Sequence, residues 1–182
     1  GRHYTQKLTD KLVQSNRMQA SAQLKTMALI QATDRTDDLK GCDLIIEAVF
    51  ENRGLKAQVT EEAEPMLAAG GVFATNTSTL PISGLAKASV KPEKFVGLHF
   101  FSPVDKMKLV EIIKGAQTDD ETLARAYDYV VAIGKTPIVV NDSRGFFTSR
   151  VFGTYVMAGA AMLGEGIPAA LIEHAALAAG MP

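Results

Sequence analysis

Asp43-Leu44-Ile45-Ile46-Glu47-Ala48-Val49-Phe50 is a nearly continuous apolar run, and it determines which class of fold the sequence can adopt. A strand with one face in water alternates apolar and polar side chains, whereas this run does not. Unbroken apolar strands are buried on both faces, as in parallel sheets that are covered by helices. We therefore predict an α/β protein with a mostly parallel sheet.

Helices and strands alternate on the C-terminal side of this run. We predict, in chain order, a helix over 55–67 ended by Gly70-Gly71, a strand over 72–76, a short helix that begins at Pro81 with Ser78 or Thr79 as its cap, strands over 95–101 and 109–113, a helix from a Thr118–Glu121 capping box to Ile133, and a strand over 136–140. This alternation is typical of a doubly wound α/β sheet.

The two ends of the chain have mainly helical patterns. The predicted elements are helices over 4–13, 19–26 and 146–163, a further helix that opens at Pro168, and one strand over 27–33. From Ser143 onward the pattern is helical only. We therefore predict an α/β domain over residues 1–142 and the beginning of a helical domain over residues 143–182.

Composition narrows the possible classes of protein. The 182 residues are 47% hydrophobic and 21% charged, with a formal net charge of −1, so a packed core is expected and a nucleic-acid partner is not. The apolar runs are too short for a transmembrane helix. Cys42 is the single cysteine, which excludes an internal disulfide and a zinc site built of cysteines. The low cysteine content favours a reducing compartment, and we predict the cytoplasm.

The clearest chemistry lies in Gly97-Leu98-His99-Phe100-Phe101-Ser102-Pro103-Val104 and the following Leu109-Val110-Glu111-Ile112-Ile113. His99 lies near the end of one apolar strand, and Glu111 lies inside the next. A buried carboxylate needs a partner, and a paired imidazole can act as a general base. The alternatives are a core histidine that binds a backbone carbonyl and an edge-strand glutamate that faces water.

Other polar residues follow the predicted strands. Asn76-Thr77-Ser78-Thr79 is either a set of helix caps or a polar shelf at the mouth of a site. Glu51 and Lys56 have the default interpretation of a solvated helix surface. Gly164-Glu165-Gly166-Ile167-Pro168-Ala169 has glycine spacing like that of a phosphate-binding loop, but it follows a helix, so we interpret it as a helix–helix turn.

Four stretches together resemble the L-3-hydroxyacyl-CoA dehydrogenase family, and especially the dehydrogenase region of multifunctional fatty-acid oxidation proteins. They are residues 42–52, 75–78, 97–104 with 108–111, and 145–150. The resemblance covers essentially the whole chain in order and spacing. It implies a Rossmann-like sheet, NAD as the cofactor and an acyl-CoA substrate, with hydratase and thiolase partners in the parent protein.

The resemblance also implies roles for individual residues. His99 is similar to the family's catalytic base, and Glu111 is similar to the residue that orients it. Three serines match positions on the substrate side: Ser78, Ser102 and Ser149. Four residues match the nicotinamide side of the NAD site: Ala48, Glu51, Lys56 and Asn76. Many family members have asparagine where this chain has Ser102 and Ser149.

The same resemblance puts the family's first strand and glycine loop upstream of Gly1 and further helices beyond Pro182. It therefore implies that the α/β domain lacks its first βα unit, and that this chain by itself binds NAD poorly and turns over little. The apolar helix predicted over 146–163 is expected to pack on another copy or on the missing segments.

Two other functions compete with this one. Dehydrogenases of small 3-hydroxy acids have a similar two-domain plan but use a lysine in the long helix, and no lysine lies between Phe146 and Leu163. The other alternative is a non-enzymatic α/β domain kept for assembly. The presence of both His99 and Glu111 argues against it.

Overall fold

The computed structural model describes residues 1–181, and these form two compact units that meet in sequence at Lys40 and Gly41. The first unit contains helix α1 (Arg2–Gln14), helix α2 (Ala20–Ala28) and a 3-10 turn (Thr36–Leu39). Gln23 of α2 donates hydrogen bonds to Thr9 Oγ1 and Asp10 Oδ1 of α1 at 3.0 and 2.7 Å. These bonds fix the contact between the two helices.

The strand predicted over 27–33 is wrong. Helix α2 continues through Ala28, and the residues that follow are irregular. Met27 is buried as part of α2, whereas Leu29 just beyond the helix is 88% exposed. Apolar content alone does not form a strand, because a strand also needs a neighbour that accepts its backbone hydrogen bonds.

The second unit begins at Gly41 and contains all five strands of the described residues. Its elements are β1 (Cys42–Glu47), α3 (Arg53–Ala63), β2 (Leu67–Thr75), α4 (Ile82–Leu85), β3 (Phe95–Phe100), β4 (Leu109–Lys114), α5 (Asp120–Ala132), β5 (Thr136–Asn141), α6 (Thr148–Gly164) and α7 (Ala169–Ala178). Short 3-10 turns lie at Glu64–Met66, Ala86–Ala88 and Pro92–Lys94.

The five strands form one sheet in the order β1-β2-β3-β4-β5. Neighbours are parallel except for β3 and β4, which are antiparallel. The exception follows from the connection, because residues 101–108 contain no helix and are too few for the crossover that parallel neighbours need. The predicted mostly parallel, Rossmann-like sheet with flanking helices is confirmed.

The core lies where the central strands meet helix α5. Its fully buried members are Val72, Ala74, Val96, Leu98, Val110, Ile112, Ala126 and Val130. On the other face, a Cβ at Gly97 would lie 2.7 Å from Ile82 Cδ1, so glycine is required for α4 to approach the sheet this closely. His99 follows two residues later, and its side chain therefore points to the same face as α4.

Several predicted boundaries are wrong by a few residues. Strand β1 ends at Glu47 rather than Phe50, whose side chain is 86% exposed. Helix α3 ends before Pro65, which has no N–H to continue it, and the chain enters β2 at Leu67. Gly70-Gly71 therefore lies inside a strand, at a register shift where Gly70 has φ +75°, and does not end a helix.

Predicted helix caps are also replaced by other residues. The N–H groups of Ile82 and Ser83 in α4 donate to the carboxylate of Asp142, at 2.8 and 2.7 Å, and not to Ser78 or Thr79. Helix α5 is capped by Asp119, which accepts from Thr122 N at 2.7 Å, so the predicted capping box is wrong.

The C-terminal helices follow the prediction, with a later start. Phe146 lies outside α6 with φ +47° and is buried, and the helix begins at Thr148. Many apolar side chains of α6 and α7 are exposed, including Phe152, Met157 and Leu177. Within residues 1–181, no helix is long and apolar enough to cross a membrane. The domain boundary near residue 143 stays a prediction.

Substitution of Asp119 by alanine is expected to lower the free energy of unfolding by about 1 kcal/mol at neutral pH, because the first turn of α5 loses its cap. Hydrogen bonding with Thr122, together with the hydrogen bond and charge of Lys94, lowers the pKa of Asp119 to about 2. A carboxylate with a lowered pKa stabilises the fold above pH 4 and loses this effect as the pH falls towards 2. Urea unfolding should therefore show a larger difference in stability between D119A and wild type at pH 7 than at pH 2.5.

The D119N variant is the control. Its side-chain amide oxygen can still cap the helix, so it should retain most of the stability at pH 7. A D119A loss that does not depend on pH would contradict this assignment.

Candidate active site

The predicted pair of His99 and Glu111 is present in the structure. The two residues face each other in the antiparallel register of β3 and β4, and Nδ1 of His99 lies 2.7 Å from Oε2 of Glu111. His99 is 6% exposed and Glu111 is 0% exposed, so the edge-strand alternative for Glu111 is wrong. Opposite positions on neighbouring strands place the two side chains side by side, and their contact follows from the register.

The carboxylate of Glu111 accepts four hydrogen bonds. Oε1 accepts from the backbone N–H groups of Phe147 and Thr148 at 3.0 and 2.8 Å. Oε2 accepts from His99 and from the hydroxyl of Thr148 at 2.9 Å. Burial by itself would raise the pKa of Glu111, but the bonds from Thr148, His99 and Phe147 outweigh burial and lower it.

The protonation of the pair follows from this environment. Because Glu111 is held ionised and only accepts, Nδ1 of His99 must carry the proton of this hydrogen bond. In the neutral ring, Nε2 is then the nitrogen with a free lone pair. Phe101 and Phe146 lie against the ring, with centroids 4.3 and 6.1 Å away, and restrict its orientation. The arrangement can accept one proton at Nε2.

Glu51 organises the loop that follows β2. Its Oε1 accepts from the hydroxyl of Thr77 at 2.5 Å and from the N–H groups of Ser78 and Thr79 at 2.9 and 3.1 Å. Partial burial would raise the pKa of Glu51, but the bonds from Thr77, Thr79 and Ser78, together with the charge of Lys56, lower it. The interpretation of Glu51 as a purely solvated side chain is therefore wrong.

Lys56 is buried, and its ammonium group is surrounded by oxygen atoms. Its Nζ lies 2.9 and 3.1 Å from the two carboxylate oxygens of Glu47 and 3.5 Å from Oε2 of Glu51. The Lys56 side chain is 1% exposed, so its default interpretation as a solvated residue is wrong. Glu47 also accepts from Thr75 Oγ1 at 2.7 Å. This buried cluster ties α3 to the ends of β1 and β2.

Asn76 connects three strands at the same edge. Its N–H donates to the carbonyl oxygen of Glu47 at 2.7 Å, and its Oδ1 accepts from the N–H of Phe100 at 3.1 Å. These bonds hold the C-terminal ends of β1, β2 and β3 together. Open α/β sheets bind their ligands at this edge.

The remaining predicted positions lie at this edge and are exposed. Ala48 follows β1, Ser78 follows β2 and Ser102 follows β3. Ser149 is exposed in the first turn of α6, next to Thr148, which contacts Glu111. The structure thus brings the candidate residues to one side of the sheet. Their contacts with a substrate or cofactor stay predictions.

The edge fits one end of a nicotinamide nucleotide. Ala48 and Ser78 are small and exposed, so a flat ring could approach the strand ends closely. Glu51 and Asn76 provide polar groups beside these positions, whereas the ammonium of Lys56 is already occupied by Glu47. Of the predicted cofactor residues, Lys56 therefore supports the site from beneath its surface.

Sequence reasoning missed Glu47 and Thr148. Glu47 could have been found, because it is a carboxylate in an apolar strand, as Glu111 is. Thr148 gave no comparable signal, since its contact with Glu111 depends on how α6 meets the sheet.

The chain is similar to proteins of one known family. The family model described as 3-hydroxyacyl-CoA dehydrogenase, NAD binding domain, matches residues 1–143. Fatty acid oxidation complex subunit alpha of Shewanella baltica is 41% identical over 179 residues, which are 98% of this chain and 25% of that protein. The chain thus spans about a quarter of the length of the curated relatives it matches.

The chain is also similar to solved structures of 3-hydroxybutyryl-CoA dehydrogenases. (S)-3-Hydroxybutyryl-CoA dehydrogenase from Ralstonia eutropha matches with a TM-score of 0.85 and 33% identity, over 89% of this chain and 57% of that one. 3-Hydroxybutyryl-CoA dehydrogenase from Escherichia coli matches with a TM-score of 0.87 and 26% identity, over 92% of this chain and 35% of that one.

Replacement of Lys56 by methionine is expected to lower the free energy of unfolding by about 3 kcal/mol, because it leaves the buried Glu47 carboxylate without its cation. The double variant E47Q/K56M should be less destabilised than K56M, since it removes both charges. Lys114, which pairs with Asp120 at the surface, provides a matched control, and K114M should cost less than about 1 kcal/mol. Urea unfolding measures all three, and a K56M effect as small as that of K114M would contradict the proposed burial.

Proposed function

The chain belongs to the 3-hydroxyacyl-CoA dehydrogenase family, as part of its NAD-binding domain, and we propose that the whole protein oxidises L-3-hydroxyacyl-CoA to 3-ketoacyl-CoA in fatty-acid β-oxidation. The observation that supports this proposal best is the buried hydrogen bond between His99 Nδ1 and Glu111 Oε2. It leaves Nε2 as a base at the edge of the sheet where ligands bind.

In the proposed reaction, Nε2 of His99 accepts the proton of the substrate's 3-hydroxyl group as a C3–O double bond forms. The imidazolium produced lies 2.7 Å from Glu111, whose charge stabilises it. The reverse reaction returns the same proton from Nε2 to the 3-oxygen. The hydrogen bonds from Phe147 and Thr148 keep Glu111 in place while the ring gains and loses charge.

NAD is the cofactor that this family binds, and it supplies the acceptor for the hydride that leaves C3. In this chain, Ala48, Glu51 and Asn76 would line the nicotinamide side of the site. Lys56 would fix the position of Glu51 from below. Ser78 would contact the cofactor and the substrate hydroxyl, and Glu51 fixes its backbone N–H in the loop after β2.

Residues 143–182 are proposed to begin the helical domain that completes the substrate site. The family model's match ends at residue 143, which supports this boundary. Ser102 after β3 and Ser149 in the first turn of α6 would contact the substrate. The exposed apolar side chains of α6 support the proposal that a second copy or further segments of the whole protein pack there.

The partners of the whole protein are proposed from its relatives. Several of them are named as alpha subunits of a fatty acid oxidation complex. We therefore propose hydratase and thiolase activities as partners, attached or associated. The cytoplasmic location stays a prediction.

A change of His99 to glutamine in the whole protein should lower kcat by about three orders of magnitude in either direction, because glutamine can neither accept the hydroxyl proton nor return it to the 3-oxygen. The assay follows NADH oxidation with acetoacetyl-CoA as substrate. His174 lies in α7 and provides the control, since H174Q should retain wild-type activity. An H99Q enzyme with unchanged kcat would refute the proposed base, and an inactive wild-type enzyme would refute the proposed reaction.

The 182-residue chain by itself is expected to bind NAD at least tenfold more weakly than the whole protein. Its sequence contains no strand followed by a G-x-G-x-x-G turn and a helix, so it lacks the backbone N–H groups that hold a pyrophosphate. Calorimetric titration of both proteins with NAD measures this difference. Equal affinities would show that the residues described above are sufficient for NAD binding.

A further inference from the structure

The start of α6 contacts the proposed catalytic pair through one side chain. The hydroxyl of Thr148 donates to Oε2 of Glu111 at 2.9 Å, and this is the same oxygen that binds His99 Nδ1 at 2.7 Å. The backbone N–H groups of Phe147 and Thr148 bind the other oxygen. Thr148 thus contacts both oxygens of a carboxylate that is completely buried.

We propose that Thr148 is a positioning residue, whose hydroxyl fixes Oε2 of Glu111 and thereby sets the orientation and proton affinity of His99. The proposal rests on the proposed function, because it assigns His99 as the base. It adds a residue that does not touch the substrate's reacting atoms. It also means that the first turn of α6 is part of the catalytic apparatus.

The Thr148 hydroxyl restrains the rotation of the Glu111 carboxylate. A carboxylate can rotate about its terminal bond, and the direction of Oε2 determines where the imidazole ring points. The two backbone donors hold Oε1, and the Thr148 hydroxyl is the second donor on Oε2. Without it, Oε2 is held by the His99 ring alone among the described contacts of this oxygen. The ring would then lose part of the restraint that aims Nε2.

The Thr148 hydroxyl also affects the charge of Glu111. A hydrogen bond to an ionised carboxylate stabilises its charge and lowers its attraction for a neighbouring proton. The Thr148 hydroxyl therefore competes with the imidazolium for the electron density of Oε2. Loss of this donor should strengthen the attraction between Glu111 and protonated His99. The ring would then remain protonated to a higher pH and serve less well as a base.

Few charged groups other than Glu111 act on the His99 ring. Among the described residues, Glu111 is the titratable group in contact with the His99 ring, and the other recorded ring contacts are Phe101 and Phe146. Asp142, in the loop before α6, binds the N–H groups of Ile82 and Ser83 in α4. The macrodipole of the 17-residue helix α6 also favours the negative charge at its first turn. A side-chain substitution at Thr148 that keeps the backbone leaves this macrodipole unchanged.

The test compares T148V, which has the same shape without the hydroxyl, with T148S, which keeps the hydroxyl. The assay follows oxidation of an L-3-hydroxyacyl-CoA by NAD, the direction in which His99 acts as the base. In the whole protein, T148V should lower kcat about tenfold while KM for the acyl-CoA changes less than about twofold. The midpoint of the acid limb of the pH–rate profile should rise by about half a pH unit, roughly a threefold change in proton affinity. T148S should restore both values.

Thr154 provides a matched control in the same helix, because its hydroxyl donates to the carbonyl of Val151 and lies away from Glu111. T154V should therefore behave as wild type. If T148V does not fold, T148A and T148S form a second pair that differs in the hydroxyl. Equal kcat and equal pH midpoints within either pair would overturn the proposal.

Nuclear magnetic resonance of the histidine rings separates this proposal from the proposed reaction. The chain has three histidines, so ¹⁵N-histidine labelling gives few signals, and H99Q identifies that of His99. The titration midpoint of this signal should rise by about half a pH unit in T148V and stay unchanged in T154V. A shift in the chain, together with a whole protein that has no dehydrogenase activity, would support the positioning role and refute the reaction. No shift in the chain, together with an active whole protein, would refute the positioning role alone.

Discussion

A carboxylate buried between strands and a helix is the constraint on which this structure depends. Glu111 is inaccessible to water, and a buried carboxylate is tolerated only when hydrogen bonds or an opposite charge compensate for its lost hydration. Its four donors come from β3 and from the chain at the start of α6. The register of β3 and β4, the entry of α6 and the tautomer of His99 all follow from this requirement.

The same principle operates at other points of the second unit. Glu51 accepts four bonds from the loop after β2, and Asp142 accepts two from the first turn of α4. In each case a carboxylate from one element binds N–H groups at the start of another. Backbone donors at helix starts and in loops have no partner of their own, so an acid from elsewhere satisfies them. These contacts shape the edge of the sheet.

Much of the fold could be predicted from the sequence, because the strands are apolar runs. Five of the six predicted strands are present, and the one over 27–33 is not. The contact between His99 and Glu111 was also predictable, since an acid in an apolar strand needs a partner. The caps were not predictable, because Asp142 is distant in sequence from Ile82 and no local pattern connects them. The burial of Lys56 was missed for a similar reason, as helical spacing cannot show which side chain extends under the sheet edge.

The central claim is that the pair of His99 and Glu111 forms the base of a dehydrogenase site. A crystal structure of the whole protein with NAD and acetoacetyl-CoA tests it most directly. The account predicts that Nε2 of His99 lies within about 3 Å of the substrate's 3-oxygen while Nδ1 still binds Glu111. A 3-oxygen bound elsewhere, with Nε2 of His99 facing protein or bulk solvent, would contradict it.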